Sequence, residues 1–304
     1  MRTLMFYSYK GGAGRTVAAA NVACALTKRG KRTAIIDLDF EAPGLHHIFG
    51  VEQFDACTSG LGIQSYLKDE INLDQLMTDA TVDIFDEDGK SNIPLLGNGG
   101  PGERSERSNY GRLLYIVASS SVSLVDAANQ NVGRRMVSLK KRLEDENFEF
   151  LVIDAASGVR ESYAIAYDAC GALLIFFRWS RQHVAGTLRM VQYLNNLRRV
   201  NRYRPYRLIA SAAPDLQQTY FSDQNLRSEL VQFKNETEAQ ISERLKKLGM
   251  NPPEIFFEIK ELPEMKIREA VIVFRDENSP YEDLATKLVL TDIEKEIGNG
   301  DTNR

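Results

Sequence analysis

The 304-residue chain predicts an α/β fold: a mostly parallel sheet with helices on both faces. Three observations carry this expectation. Short, nearly continuous apolar runs recur along the chain, as strands buried on both faces require. Longer alanine-rich or amphipathic stretches separate them, so strand and helix alternate. A glycine-rich turn joins the first apolar run to the first helical stretch, which is the opening of a βαβ unit.

The elements follow in order. "TLMFYSY" (3–9) reads as a buried strand ended by glycines. "GRTVAAANVACALTKRG" (14–30) has helical composition and stops at Gly30, a C-terminal cap. "KRTAIIDLD" (31–39) reads as a second buried strand that ends in carboxylates. Further strands are expected in "GRLLYIVAS", "FEFLVIDAASG", "CGALLIFFRW", "YRLIASAAP" and "EIFFEI". Helices are expected in "VGRRMVSLKKRLEDEN", "QHVAGTLRMVQYLNNLRR" and the closing "PYEDLATKLVLTDIEKEI". Residues 81–111, rich in Gly, Ser and charge, read as an irregular insertion with room for a small hairpin. No linker or internal repeat divides the sequence. One domain over 1–297 and a frayed tail at 298–304 are expected.

Composition bounds the function. A net charge of -4 argues against a dedicated nucleic-acid protein at the level of the whole chain. Cys24, Cys57 and Cys170 form no pair motif, and with His46 and His47 they lack a metal-binding spacing. No apolar run reaches the roughly 18 residues of a membrane span, and the first is too short for a leader. A cytoplasmic protein is expected.

The chemistry concentrates in "KGGAGRT" (10–16). Phosphates bind where backbone N–H groups converge at a helix N-terminus, and glycine lets them approach. Thr16 supplies a hydroxyl where a phosphate-binding loop coordinates Mg²⁺. The pattern G-x-x-x-x-G-K-[ST] is not met, because Tyr9 replaces its first glycine and Arg15 its lysine. Two other readings stay open on the loop alone: a glycine turn without ligand, or a dinucleotide site with Asp37 as its ribose acid. Two distant acids favour the triphosphate reading. Asp154 ends the run "FLVID" and is followed by Gly158, which suits an Mg²⁺ ligand beside a γ-phosphate-sensing turn. Asp37 and Asp39 lie two apart at a strand end, on one face, placing one carboxylate near Mg²⁺ and one near the γ-phosphate.

"KGGAGRT", "DLDFEAPGL" and "FLVIDAASG", in this order, resemble the ParA/MinD-type ATPases with a deviant Walker A motif, of the branch whose loop reads KGG-x-GRT. The resemblance covers roughly residues 1–290 and implies a P-loop NTPase fold, ATP and Mg²⁺ as cofactors, and an ATP-dependent homodimer. It implies that Lys10 reaches the partner's nucleotide while Arg15 grips its own. Gly11, Gly12, Ala13, Gly14, Arg15, Thr16 and Val17 would form the phosphate cradle. Thr16, Asp154 and Asp37 would serve the metal and Asp39 the attacking water, and Ala213 and Pro214 are candidates at the adenine. Arg15 departs from the family's lysine. A planar fork is not equivalent to a point charge, so binding with slow turnover is expected.

The expected role is a nucleotide-driven switch for a protein partner or cargo. The alternatives are a noncatalytic ATP sensor governing an effector, and a ParA-like protein binding DNA nonspecifically. Residues 178–207 hold eight arginines and no acid, a local basic excess that is either a solvated helix end or a phosphate-backbone patch. The closing helix carries Glu282, Asp283, Asp292, Glu294 and Glu296 on its polar face, as a core-packing helix would and a membrane anchor would not.

Overall fold

The computed structural model describes residues 1–92, 109–119, 130–159, 161–198, 202–213, 224–247, 255–262, 269–274, 276 and 278–291. Every strand expected from the apolar runs is present: β1 (Arg2–Tyr7), β2 (Thr33–Leu38), β4 (Leu113–Ile116), β5 (Phe150–Ala155), β6 (Ala172–Phe177), β7 (Tyr206–Ala213) and β8 (Ile255–Lys260). They join one eight-stranded sheet in the order β3-β4-β2-β5-β1-β6-β7-β8. Seven strands are parallel. β3 (Thr81–Phe85) runs antiparallel to β4 at the edge. The start of the 81–111 segment is therefore a strand rather than irregular chain, extended by a bridge between Phe85 and Ser91. Residues 93–108 lie outside the described residues.

The unbroken apolar runs have a simple cause. Successive side chains of a strand point to opposite faces, and both faces here are covered. On β1, Met5 and Tyr7 enter one core while Leu4 and Phe6 enter the other. The Met5 side is packed by residues of α6 (Gln130–Asp145), α7 (Glu161–Ala169) and α8 (Arg181–Arg198). The Leu4 side is packed by α1 (Arg15–Lys28) and α10 (Pro280–Leu290). Alanines at 18, 19, 20, 23 and 25 leave α1 with no bulky side chains at those positions, and all five are fully buried.

Short helices α2 (Leu45–Phe49), α3 (Asp55–Thr58), α4 (Ile63–Leu67) and α5 (Leu73–Asp79) fill the chain between β2 and β3. A 24-residue helix, α9 (Gln224–Lys247), lies between β7 and β8. The closing helix, expected to run to 297, ends at Leu290, where Thr291 turns extended with φ -102° and ψ 118°; residues 292–304 lie outside the described residues. Among the described residues, no helix is long and apolar enough to cross a membrane.

α10 starts where its sequence says it should, with Ser279 accepting from the Tyr281 N–H and Pro280 at the first helical position. It docks on α1 through Tyr281, Leu284, Ala285 and Leu288. Its Glu282 carboxylate pairs with Lys28 at 3.3 Å and with Arg29, and it is nearly buried. Of the acids noted in the sequence, Glu282 thus meets the basic end of α1, while Asp283 is exposed. Removing one member of a buried pair strands the others. Glu282→Gln is expected to lower the unfolding free energy by about 3 kcal/mol in urea denaturation.

Candidate functional site

The site lies where the strands' C-terminal ends meet. β1 is central, with β5 on one side and β6 on the other. The loop after β1 carries the glycines. Gly12 and Gly14 have φ of 79° and 70°, a region that side-chain-bearing residues avoid. Gly14 caps α1 with no side-chain hydrogen bond to its first turn. The N–H groups there are left to a ligand, and the helix dipole favours an anion.

Sheet register brings the acids to this loop. β2 and β5 are aligned so that Asp37 faces Asp154, and Phe6 of β1 faces Asp154 from the other side. Both carboxylates are fully buried. Asp37 uses its two oxygens to hold the following turn: one accepts from the Asp39 N–H at 2.9 Å, the other from Gly44 and Leu45 at 2.9 and 3.2 Å. Asp39 lies just beyond β2, at the rim.

Arg15 is the centre of the arrangement. Its Nε donates to Asp154 Oδ1 at 2.5 Å. Its Nη2 donates to Asp39 Oδ2 at 3.0 Å and to Thr16 Oγ1 at 3.2 Å. Burial opposes its charge, but Asp154 and Asp39 outweigh that, and the guanidinium pKa is raised. Burial pushes the Asp154 carboxyl up while Arg15 pulls it down, and it stays raised. For Asp37, burial and then the Asp154 charge prevail over three backbone N–H donors, and its pKa is pushed up to about 8. Asp154 Oδ2 has no hydrogen-bond partner, although it is buried. A buried oxygen without a partner, beside the Thr16 hydroxyl and Asp39, is a hard-oxygen donor set that fits Mg²⁺.

The loop is braced from both sides. The Gly158 N–H, at the turn after β5, donates to the Ser8 carbonyl at 3.2 Å, and Gly158 has a φ of 78°. Ser211 of β7 places its hydroxyl 2.6 Å from the Ala13 carbonyl and 3.1 Å from the Phe177 carbonyl. Lys10 stands apart from the acids. It is exposed and donates to Gln182 Oε1 on α8.

A cleft of about 170 Å³ opens beside Gly12, Ala13, Gly14 and Val17. Its far wall is Ala212, Ile259, Leu262 and Tyr281, with Arg178, Lys260, Glu261 and Glu269 also lining it. The sequence-based reading put the base at Ala213 and Pro214. Ala213 is buried, with its carbonyl bonded to the Glu261 N–H at 2.7 Å, and its neighbour Ala212 faces the cleft. Pro214 lies outside the described residues. The 259–262 wall carried no motif, so only its place in the fold reveals it.

The basic 178–207 stretch is partly committed within the chain. Arg202 pairs with Asp168 at 2.6 Å, and Arg207 is half-buried over the Phe256 ring, where burial lowers its pKa. Arg199 and the Arg198 side chain lie outside the described residues.

A parallel sheet with a glycine loop at its central strand, a bare helix N-terminus and an acid on the adjacent strand defines a P-loop nucleotide-binding fold. Residues 4–249 match the model of the CobQ/CobB/MinD/ParA nucleotide binding domain, and the chain belongs to that family. It is 26% identical over 162 residues to the septum site-determining protein MinD of Synechocystis sp., covering 53% of this chain and 47% of that protein. It is 27% identical over 165 residues to MinD of Escherichia coli K12, covering 54% and 48%. The chain thus spans about half the length of these curated relatives. The fold is similar to McdA of Cyanothece, solved with ATP, at a TM-score of 0.63 and 18% identity over 95% of this chain and 96% of that one. It is also similar to MinD of Aquifex aeolicus, at 0.61 and 18% over 96% and 98%.

The loop's seat gives a test. A Cβ on Gly186 of α8 would lie 2.2 Å from Tyr9 Cδ1, in the residue before Lys10. Glycine to alanine within a helix normally stabilises by about 1 kcal/mol. Here overpacking reverses the sign. Gly186→Ala is expected to lower the melting temperature and weaken ADP binding by calorimetry. Adding Tyr9→Ala to it is expected to recover part of the stability.

Proposed function

We propose that the protein is a MinD/ParA-like ATPase that binds Mg-ATP, dimerises through the bound nucleotide and acts as a slow molecular switch for a protein partner or cargo. The observation that carries this reading is the convergence of Arg15, Thr16, Asp39 and Asp154 at the uncapped N-terminus of α1. In this reading the N–H groups of residues 11–17 hold the α- and β-phosphates, and Arg15 turns to the β- and γ-phosphates. Thr16 and Asp154 would hold the metal, with Asp37 behind them. Bound Mg²⁺ would supply neutralisation of charge on the phosphate oxygens during transfer. Asp39, at the rim and tied by its backbone to Asp37, orients the attacking water. The base lies in the cleft between Val17 and the Ile259–Leu262 wall, against Ala212.

Lys10 supports a dimer. It is exposed on the loop and contacts no group of its own acid cluster, as a cation destined for a second subunit's nucleotide would be. The MinC:MinD complex of Aquifex aeolicus shares this fold at a TM-score of 0.61, a precedent for a protein partner.

The pairing of Arg15 with both acids favours slow turnover, and it gives the sensor reading a specific basis: the cation must leave two carboxylates before it can serve phosphate. DNA binding through 178–207 is the further alternative. A salt-dependent mobility shift with ATP present would support it, and a shift that is absent or insensitive to salt would remove it.

The decisive comparison is wild type against Lys10→Ala. Wild type is expected to move from monomer to dimer in light scattering when Mg-ATP is added, and to hydrolyse ATP slowly. Lys10→Ala is expected to bind ATP within about threefold of wild type but to lose at least about tenfold in hydrolysis. Unchanged hydrolysis would refute the cross-subunit role.

A further inference from the structure

The guanidinium of Arg15 contacts three of the groups that would surround a metal. It touches Asp154 at 2.5 Å, Asp39 at 3.0 Å and Thr16 at 3.2 Å. The Arg15 side chain is 9% exposed and that of Asp154 is fully buried. Arginine has five donors and no acceptor, and it keeps its charge in proteins. A divalent cation at Asp154 would meet this guanidinium at close range: the like charges repel, and Asp154 Oδ1 and Asp39 Oδ2 already accept from it, leaving Asp154 Oδ2 as the carboxylate oxygen without a partner.

We propose that Arg15 is a built-in counter-ion that masks the metal site until nucleotide arrives, so that metal loading is strictly nucleotide-first. This rests on the nucleotide reading given above and deepens it by assigning the order of binding. The arrangement supplies its own exchange. Phosphate oxygens bound at the N-terminus of α1 would offer the guanidinium a second set of acceptors, which its planar fork can take two at a time. When it turns to them, Asp154 and Asp39 lose their counter-charge together. The fully buried Asp154, with Asp39 at the rim, would then lack a counter-charge, and a metal held by Asp154 and Thr16 would supply one. A lysine in the same place reaches with a single ammonium and lacks the fork that spans both acids and the threonine. The masking is thus a consequence of the arginine.

The test uses Mn²⁺ alone as the probe, followed by the loss of the free-ion signal in electron paramagnetic resonance on the full chain. Wild type without nucleotide is expected to bind Mn²⁺ weakly, and Arg15→Gln, which is shorter and keeps an N–H donor without the charge, at least about tenfold more tightly. Arg15→Lys is expected to fall between them. Mn²⁺ is also expected to raise the melting temperature of Arg15→Gln but not of wild type. Equal Mn²⁺ affinity in wild type and Arg15→Gln would overturn the proposal.

Should Arg15→Gln not fold, wild type decides the matter by NMR with ¹⁵N-arginine. The buried Arg15 Nε–H is expected to give a protected resonance that Mg²⁺ alone leaves in place and Mg-ADP shifts. A shift with Mg²⁺ alone, or no shift with Mg-ADP while calorimetry records ADP binding, would overturn it. Absence of ADP and ATP binding to wild type would instead remove the nucleotide reading, and the Mn²⁺ and Mg²⁺ measurements would still judge the masking.

Discussion

A cluster of carboxyl groups gathered around one guanidinium governs this structure. Asp37 and Asp154 sit opposite each other on adjacent parallel strands, both out of water, with Asp39 at the rim. Unpaired, such a group would cost several kcal/mol per charge. Arg15 provides the compensation, and three backbone N–H groups provide the rest by binding Asp37. The first residue of α1, the end of β2, the end of β5 and the turn at 44–45 are thereby tied to one electrostatic balance. The helix cannot rotate or the strands slip by one residue without stranding a charge.

The candidate site thus stands on rigid elements although its glycines lie on a loop. The β1 loop is held by Ser211 from β7 and by the Gly158 turn from β5, so strands on both sides of the sheet's centre fix its height. Tyr9 packs on Gly186 of α8, which sets the direction in which Lys10 leaves the loop. On the Leu4 face, the pairing of Glu282 with Lys28 and Arg29 anchors the far end of α1, the helix whose near end follows the glycine loop. Charge also shapes the mouth: burial, then Arg178 and Lys10, lower the pKa of His183, leaving Lys10 and Arg178 as the cationic edge.

The elements that escaped sequence reading share physical reasons. Helices α2 to α5 have between four and seven residues, too few to establish a helical period. α9 is long, but Thr237 and Ile241 are its only buried side chains among those described, so its apolar stripe is thin. β3 is an antiparallel edge strand next to a charged turn at 86–90, and its "TVDIF" was submerged in the polar composition that follows. The apparent basic stripe of 178–207 is one-dimensional: folding sends Arg202 to Asp168 and Arg207 onto Phe256.

By itself the sequence determined the parallel sheet, because strands buried on both faces must be apolar throughout, and the phosphate-type turn, because only glycine takes the backbone of positions 12 and 14 without strain. It also supplied the acids at the strand ends. Only the tertiary structure decided what each group holds. Arg15 meets Asp154 across 139 residues of chain and Asp39 across 24, and it is bound to carboxylate where the motif had suggested phosphate. Register, not composition, set Asp37 against Asp154, and sheet order brought the 259–262 wall to the loop at 12–14. Such pairings depend on which strand lies next to which, and local pattern carries no record of that choice.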